Sequence, residues 1–515
     1  MKRKIIYSFL VLAMVLSMVV STVTGCTTTT TTQDALAFPK DNYTVATKNV
    51  TTSKGVQTVT YHLYKNIVYV TNPVDANYEC MYVSVPVKIN GDNIDATNAP
   101  IFFNVNVGGY KSSSPIPNLG GLGGPPPGVP GKDVSTSDLA LAAGYVVATP
   151  GCRGWDNGWV SGNTTIWYGK APAAIVDLKC AVRYLHHNDD IMPGNANEII
   201  ATGGSAGGAL SALLGASGDG DEALFTPYFE QLGAADASDS IFAAAPFCPI
   251  IDLEHADMAY EWMLGTTPGI GATFPGAPPS GVVVNQTLSQ ILKNAFTPYE
   301  ASLDLTGKDS FSSITAANLG QYILQYYLIP SANKYLSALT DADRVSYLAS
   351  HTWITSWDNT TKTASFSWAN FVAAGGRMKG LPAFDAFNLS SWECLEFGNA
   401  TTNTRHFTDF SLQYATGNNS ATIASTSPDL PDKINMMNPM YFIKGNNAGC
   451  CDYWRIRLGT RDIDTSLSVS VNLATSLENL GKNVDVSMYW DGGHMANYDP
   501  GDLIAWIGNI TGYTK

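Results

Sequence analysis

Apolar and polar positions divide the chain into regions of different rhythm. Short β-type runs separated by turn residues lie at 56–64, 67–71, 81–87 and 101–107. From residue 144, continuous apolar runs (144–149, 198–202) alternate with segments whose apolar positions recur at helical spacing (171–187, 206–214). Strands that alternate with helices predict βαβ units and a parallel sheet. We therefore expect an α/β fold.

The alternation is interrupted between residues 252 and 435, where Trp, Tyr, Phe, Ser, Thr and Asn are frequent and helical spacing recurs only in pieces such as 323–335. It then returns with a strand, a helix, a strand and a helix at 454–458, 465–480, 483–490 and 502–507. This pattern predicts a core in two parts, residues 36–251 and 436–515, with an inserted domain at 252–435.

The first residues are typical of an export signal. Lys2, Arg3 and Lys4 precede an apolar run at 5–20, and small residues lead to Cys26. The ending Val-Thr-Gly-Cys resembles a bacterial lipobox, which predicts a lipoprotein signal peptide at 1–25, lipidation of Cys26 and a Thr-rich tether at 26–35. We expect an exported lipoprotein, anchored in a membrane and facing the cell exterior or the periplasm. The alternative is an ordinary signal peptide with an incidental cysteine.

Charge and cysteine content narrow the function classes. The 515 residues carry a formal net charge of −14, and no cluster of Lys and Arg follows the first four residues, which argues against a nucleic-acid partner. The seven cysteines beyond Cys26 show neither CxxC nor Cys/His metal spacing, so we interpret them as buried small side chains with at most one disulfide. No motif implies a metal or an organic cofactor.

The strongest chemical signal is the sequence Gly203-Gly204-Ser205-Ala206-Gly207, which directly follows a predicted strand and precedes a predicted helix. In that context G-x-S-x-G predicts a nucleophile elbow, a sharp turn that exposes the serine above the sheet. Ser205 is therefore the candidate nucleophile.

A serine nucleophile needs a base and an acid that orients the base. His494 follows the last predicted strand, whereas the other three histidines after Ser205 lie in the predicted insertion. Asp462 follows the preceding strand and is the candidate acid. Spacing also allows Asp464, although Asp464 is well placed to cap the next helix. For the oxyanion hole, Gly109 follows the predicted strand at 101–107, so we expect its N–H and that of Ala206 to donate to the substrate oxygen.

Several segments together resemble a known family, the bacterial tannases, which are tannin acyl hydrolases of the α/β-hydrolase fold. The segments that carry the resemblance are VGGY at 107–110, GGSAGG at 203–208, DLEHADMAYEW at 252–262, WRIR at 454–457 with DIDTS at 462–466, and WDGGH at 490–494. The elbow occurs in many esterases, while the segments at 252–262 and 454–466 are more specific.

The resemblance implies that Ser205, Asp462 and His494 form the triad and that the insertion is a lid over an acyl pocket. It also implies that Lys379, Glu393 and Asp464 bind the three phenolic hydroxyls of a galloyl group. The segment at 391–398 departs from the family pattern, so Glu396 is an alternative to Glu393. A Gly/Pro-rich loop at 112–131 is unusually long and bears on access to the pocket.

These observations predict an α/β-hydrolase core with a large inserted lid, behind a lipoprotein signal peptide. The expected activity is a serine esterase that hydrolyses gallate esters through an acyl-enzyme, with a small phenolic ester as substrate and no cofactor. The alternatives are a feruloyl or other aryl carboxylesterase and, from another class, a non-catalytic surface lipoprotein that binds polyphenols or glycans.

Overall fold

The structure is a computed structural model that describes residues 34–117, 135–273 and 276–514. The predicted signal peptide, Cys26 and most of the loop at 112–131 lie outside these residues. None of the helices within the described ranges combines the length and the apolar character needed to cross a membrane.

The strands are β1 Thr44–Thr52, β2 Gly55–Val68, β3 Cys80–Ile89, β4 Asp92–Asn93, β5 Pro100–Asn104, β6 Val146–Pro150, β7 Gly158–Ser161, β8 Thr164–Trp167, β9 Asn195–Gly204, β10 Ala243–Phe247, β11 Ser356–Asp358, β12 Thr363–Ser365, β13 Tyr453–Gly459 and β14 Asn483–Tyr489. The helices before β11 are α1 Thr136–Ala142, α2 Ala173–His187, α3 Ala206–Ser217, α4 Glu222–Leu232, α5 Leu253–Leu264, α6 Gln286–Ser302, α7 Leu319–Ile323, α8 Ile329–Ala338 and α9 Asp341–Ser350. The later ones are α10 Trp368–Gly375, α11 Trp392–Glu396, α12 Asp409–Thr416, α13 Ile423–Thr426, α14 Leu430–Met436, α15 Pro439–Lys444, α16 Leu467–Asn479 and α17 Pro500–Thr511.

One large sheet organises the core. Its order is β1-β2-β3-β6-β5-β9-β10-β13-β14, with β4 paired to β3. The pairs from β1 to β6 are antiparallel, and those from β6 to β14 are parallel. Within the parallel part, β5, β6, β10 and β13 are almost completely buried, as expected where helices cover a sheet. The α/β prediction is confirmed.

Some local predictions need correction. The run at 56–64 and the first residues of the run at 67–71 form one strand, β2, which ends at Val68, because a register irregularity between Tyr64 and Ile67 lets the pairing with β3 continue. The strand predicted at 101–107 ends at Asn104. The helix expected at 323–335 begins at Leu319 and contains a π-helical turn at Leu324–Leu328.

The inserted segment, defined here as residues 248–452, joins the neighbouring parallel strands β10 and β13. It contains helices α5 to α15 and the small hairpin of β11 and β12. Helix α5 packs against α16 of the core, and α15 packs against α3. Much of the inserted segment therefore rests on core helices. The narrower lid range of 252–435 stays a prediction.

Candidate active site

The candidate catalytic residues follow the carboxyl ends of parallel strands. Ser205 comes directly after β9, Asp462 follows β13, and His494 follows β14. Because the carboxyl ends of parallel strands meet at one edge of a sheet, residues that are distant in sequence converge there.

Ser205 occupies a strained turn between β9 and α3. Its φ of 58° and ψ of −124° are unusual for a residue with a side chain. The turn is held because the N–H of Ser205 donates to the carbonyl of Phe247 at 3.0 Å. A Cβ on Gly203 would lie 2.6 Å from the carbonyl oxygens of Gly207 and Val105, so only glycine fits there. These features are those of a nucleophile elbow.

Asp462 and His494 are in direct contact. The buried Oδ2 of Asp462 lies 3.0 Å from Nδ1 of His494, and its Oδ1 accepts the N–H of Asp464 at 3.1 Å. Burial lowers the pKa of His494, but Asp462 and the nearby thiol of Cys248 outweigh burial and raise the pKa well above its ordinary value. No hydrogen bond joins Ser205 Oγ to the His494 ring within the described ranges. A nucleophile–base bond often tightens only when substrate is held.

Asp464 occupies a different position from Asp462. Its Oδ2 lies 3.6 Å from Nδ1 of His494, farther than that of Asp462, and its side chain faces a cavity beside Ser205. The expectation that Asp464 caps the following helix is wrong. Ser466 caps α16, because its side chain accepts the N–H of Ser468 and the helix begins at Leu467.

Two backbone N–H groups border the same cavity, those of Gly109 and Ala206. Within the part of the chain that the structure describes, neither group donates a hydrogen bond. Gly109 has a φ of 56°, and a Cβ there would lie 2.5 Å from the indole of Trp392. Glycine is therefore needed both for the turn and for the close approach of the inserted segment.

The cavity has a volume of about 320 Å³ and opens beside Ser205. Core and inserted segment both line it. Lys379, Glu393 and Asp464 all contribute side chains to its wall, although they come from separate parts of the sequence. The aromatic and apolar wall includes Phe387, Pro382, Leu381, Ile250 and Trp392.

Glu396, the alternative to Glu393, does not line this cavity. It is fully buried, and neither of its carboxylate oxygens has a hydrogen-bond partner among the residues that the structure describes. Burial raises its pKa to about 8 although Lys170 opposes the shift. Between the two glutamates, the structure brings only Glu393 to the cavity.

The polar groups of the cavity form a buried cluster of mixed charge. Lys379 and Glu393 are 5% and 8% exposed, and Nζ of Lys379 lies 3.8 Å from the centre of the Phe384 ring. Burial raises the pKa of Glu393, and Lys379 opposes the shift. Burial likewise raises the pKa of Asp464 against the opposing effects of His494 and Lys379. Two carboxyl groups and one ammonium group thus face one small space.

Three residues on α5 stabilise the wall of the cavity. No sequence pattern singled them out as functional residues. Asp257, Tyr260 and Glu261 are spaced so that they share one face of the helix. The carboxylate of Asp257 accepts the N–H groups of Phe384 and Asp385 at 2.7 and 3.1 Å. Polar residues on a buried helix face are the signal that could have identified them.

Tyr260 connects the inserted segment to the strand ends. Its hydroxyl accepts the N–H of Lys379 at 3.1 Å and donates to the carbonyl of Ile463 at 3.0 Å. Ile463 lies between Asp462 and Asp464. The hydroxyl of Tyr260 therefore links the backbone at Lys379 directly to the loop that carries the two aspartates.

A buried ion pair fixes the same loop from the other side. The guanidinium of Arg377 donates to both carboxylate oxygens of Glu261, at 2.7 and 3.0 Å, and to the carbonyls of Lys379 and Gly380 at 3.0 and 2.6 Å. Both side chains are completely buried. A bidentate pair of this kind orients the backbone on either side of Lys379.

The seven cysteines beyond Cys26 are all buried and all have free thiols. This agrees with their interpretation as small buried side chains. Cys26 itself lies outside the described residues.

Comparison with known proteins adds to this geometry. A family model described as BD-FAE matches residues 141–263. The Mycobacterium tuberculosis protein named Esterase LipQ is 36% identical over 112 residues, which are 21% of this chain and 24% of that protein, so the match covers about a quarter of its length.

Solved structures match over almost the whole chain. The Fusobacterium nucleatum tannase is 35% identical with a TM-score of 0.75, covering 92% of this chain and 99% of that one. The tannin acyl hydrolase from Lactobacillus plantarum is 33% identical with a TM-score of 0.76, covering 92% and 98%. A tannin acyl hydrolase in complex with ethyl gallate is 33% identical with a TM-score of 0.74 and the same coverage.

Identity above 30% across nearly the full length of both proteins is more than a shared fold. The described residues have the α/β-hydrolase arrangement, and the chain belongs to the bacterial tannases, the tannin acyl hydrolases.

Proposed function

We propose that this protein is a serine esterase that hydrolyses galloyl esters, with Ser205 as nucleophile, His494 as base and Asp462 as the acid that orients the base. The main support for this proposal is that Ser205 lines the same cavity as Lys379, Glu393 and Asp464. The family membership and the relative in complex with ethyl gallate support this substrate class.

The wall of the cavity complements a galloyl ring. The ring is flat and apolar, and it carries three adjacent hydroxyls. Carboxylates accept hydrogen bonds from hydroxyls, and an ammonium group donates to a hydroxyl oxygen. Glu393 and Asp464 supply two acceptors and Lys379 a donor, while Trp392 and Phe387 offer apolar surface.

The chemistry then follows from the positions of the groups. Oγ of Ser205 attacks the ester carbonyl as His494 takes the hydroxyl proton, and the developing imidazolium is stabilised by Asp462. The N–H groups of Gly109 and Ala206 donate to the oxyanion of the tetrahedral intermediate. The C–O bond to the alcohol breaks, and His494 returns the proton to the leaving alkoxide. Water repeats the cycle on the acyl-enzyme and releases the free acid and the serine.

Substrate comparison tests the acyl assignment. Methyl gallate and methyl protocatechuate should be turned over, whereas methyl benzoate should be hydrolysed at least ~10²-fold less efficiently because its ring has no hydroxyl to donate to the buried carboxyl groups of Glu393 and Asp464. The measurement is kcat/KM for each ester, with methyl ferulate included. Equal efficiency on benzoate or ferulate would favour a general aryl esterase, and no turnover of any ester would favour a binding protein.

We also propose that the protein is exported and anchored through a lipid on Cys26. Support comes from the sequence alone, namely Lys2 to Lys4, the apolar run at 5–20 and the small residues before Cys26. Cells that express the full chain should incorporate labelled palmitate, and Cys26→Ser should lose the label and move esterase activity from the membrane fraction to the soluble fraction. An unlabelled wild-type protein would contradict the anchor.

A further inference from the structure

One buried thiol lies beside the proposed triad without a role in the reaction. Cys248 directly follows β10, the strand between those that lead to Ser205 and Asp462. It is 2% exposed and has a φ of 36°, in the left-handed region that favours glycine. Its N–H donates to the carbonyl of Arg457 at 2.7 Å, which fixes the side chain at the carboxyl edge of the sheet.

The thiol is part of a cluster of metal-ligand atoms. Sγ of Cys248, a carboxylate oxygen of Asp462 and a ring nitrogen of His494 all lie within 4.8 Å of one another. A second sulfur is close by, because Sδ of Met495 lies 3.6 Å from Sγ of Cys248, and the N–H of Met495 donates to the same Sγ at 3.3 Å. Three strand ends thus deliver sulfur, nitrogen and oxygen donors to one point.

This donor set selects a class of cation. Thiolate, imidazole and carboxylate are the ligands of Zn²⁺ in proteins, and a thioether adds preference for softer ions such as Cd²⁺. Mg²⁺ and Ca²⁺ prefer oxygen ligands and are poorly matched by two sulfurs and a nitrogen. We propose that Cys248, Asp462 and His494 form an inhibitory site for one thiophilic divalent cation of the Zn²⁺ and Cd²⁺ class.

Binding requires no oxidant or reductant. The cation forms a bond to Sγ of Cys248, the thiol proton passes to solvent, and the imidazole and the carboxylate each donate a lone pair. Catalysis needs both ring nitrogens of His494, one toward Asp462 and one toward Ser205. A cation on either nitrogen removes the base, so inhibition is complete and is reversed when a chelator removes the metal.

Inhibition of ester hydrolysis provides the first test. Because galloyl esters chelate metals themselves, the substrate is p-nitrophenyl acetate, and the purified protein is titrated with ZnCl₂ and CdCl₂ in thiol-free buffer. MgCl₂ and CaCl₂ serve as control salts. The concentration that halves the rate should rise at least about tenfold in Cys248→Ser relative to wild type, each normalised to its own metal-free rate.

A matched variant controls for general thiol reactivity. Cys450 is equally buried but precedes β13, at the opposite end of that strand from Asp462. Cys450→Ser should keep the wild-type sensitivity to Zn²⁺ and Cd²⁺, and EDTA should restore activity. Equal sensitivity of wild type and Cys248→Ser, or no inhibition of wild type, would overturn the proposal.

The inhibitory effect rests on the proposed triad, so a readout without catalysis separates the two. Ser205→Ala protein is titrated with Cd²⁺, and the thiolate-to-cadmium absorption band in the ultraviolet should saturate at one equivalent. The band should be lost when Cys248→Ser is added to Ser205→Ala. Failure to form the band overturns the metal site whatever the esterase results are. If the metal-free protein were inactive on every ester, the proposed function would be overturned. The cadmium absorption band would still test the metal site in that case.

Discussion

The two sides of the active-site cavity are built in different ways. On the core side, Ser205, Asp462 and His494 each lie within a few residues of a strand end, and backbone pairing of the sheet sets their positions. On the side of the inserted segment, Glu393 lies in the short helix α11, and Lys379 lies in a loop held by the side chains of Arg377 and Tyr260. In the proposed mechanism, the reacting groups are therefore placed by local sequence, whereas the groups that bind the acyl ring are placed by a network of contacts between distant residues. Substitutions should therefore separate the two properties.

The largest effect is expected on the core side. Ser205→Ala removes the proposed nucleophile and should lower kcat/KM for every ester by on the order of 10⁴-fold or more, with thermal unfolding little changed. Hydrolysis of methyl gallate and p-nitrophenyl acetate measures it. Retention of more than a few per cent of either activity would contradict the assignment.

Substitutions of the two aspartates test which of them acts in the reaction and which binds the acyl group. Asp462→Asn should depress all esters by about 10³- to 10⁴-fold, because the imidazole loses its orienting partner. Asp464→Asn should lower methyl gallate hydrolysis most and p-nitrophenyl acetate hydrolysis little. If the two phenotypes were exchanged, the roles given to Asp462 and Asp464 would be reversed.

A substitution of Glu393 tests the contribution of the inserted segment to acyl specificity. Glu393→Gln replaces an ionic acceptor by an amide and should lower kcat/KM for methyl gallate by about 10- to 100-fold while short-chain esters are spared. The gap between gallate and benzoate should narrow mainly because gallate slows. Glu396→Gln is the matched control, since Glu396 does not line the cavity. A larger decrease in methyl gallate hydrolysis in that variant would indicate that Glu396, and not Glu393, binds the galloyl hydroxyls.

Tyr260 tests the connection between the sides. Tyr260→Phe removes a hydroxyl that bonds Lys379 and Ile463 but keeps the ring, so each partner loses about one hydrogen bond. We expect a decrease of ~3- to 10-fold in gallate turnover and a smaller decrease for p-nitrophenyl acetate. An equal decrease on both substrates would indicate a general loss of structure.

The contact between the inserted segment and the core should make the stability of the protein depend on pH. Glu396 of the inserted segment is buried against the core near Tyr110, Cys152, Asp156 and Lys170. Its pKa is raised to about 8, so the folded protein binds a proton that the unfolded chain releases above its ordinary pKa of 4.5. The free energy of unfolding should therefore fall as pH rises from 5 to 8.

Other buried carboxyl groups contribute to the same slope. The pKa of Glu79 is raised to about 8, and those of Asp257 and Glu300 to about 7, mainly by burial. Denaturant unfolding at several pH values measures the slope, and Glu396→Gln should make it shallower. An unchanged slope in this variant would show that Glu396 is ionised in the folded protein.

Sequence patterns located the strand ends and the turn on the core side, because these features depend on neighbouring residues in the sequence. Apolar runs identify the strands, glycine spacing around Ser205 identifies the turn, and His494 is the histidine that follows the last strand. The choice between Asp462 and Asp464 stayed open at that level, since both follow one strand. The capping role expected for Asp464 belongs to Ser466 instead.

The other side needed more than pattern. Lys379 and Glu393 are ordinary charges in a polar stretch, and only the family resemblance selected them before the structure brought them to one cavity. In the sequence Tyr260 is one more aromatic residue of a buried helix, because the three hydrogen-bond partners of its hydroxyl are 118, 119 and 203 residues away. Contacts over such separations leave no periodic trace in the sequence.

The contact between Gly109 and Trp392 has a consequence for protein engineering. The indole occupies the space where a side chain at position 109 would lie, so the loop at 107–110 and the inserted segment are complementary in shape at this contact. A chimera that placed this inserted segment on another esterase core would meet a clash unless glycine stood at the equivalent position. The smallest exchangeable module therefore includes the strand-end loop at 107–110 together with the inserted segment.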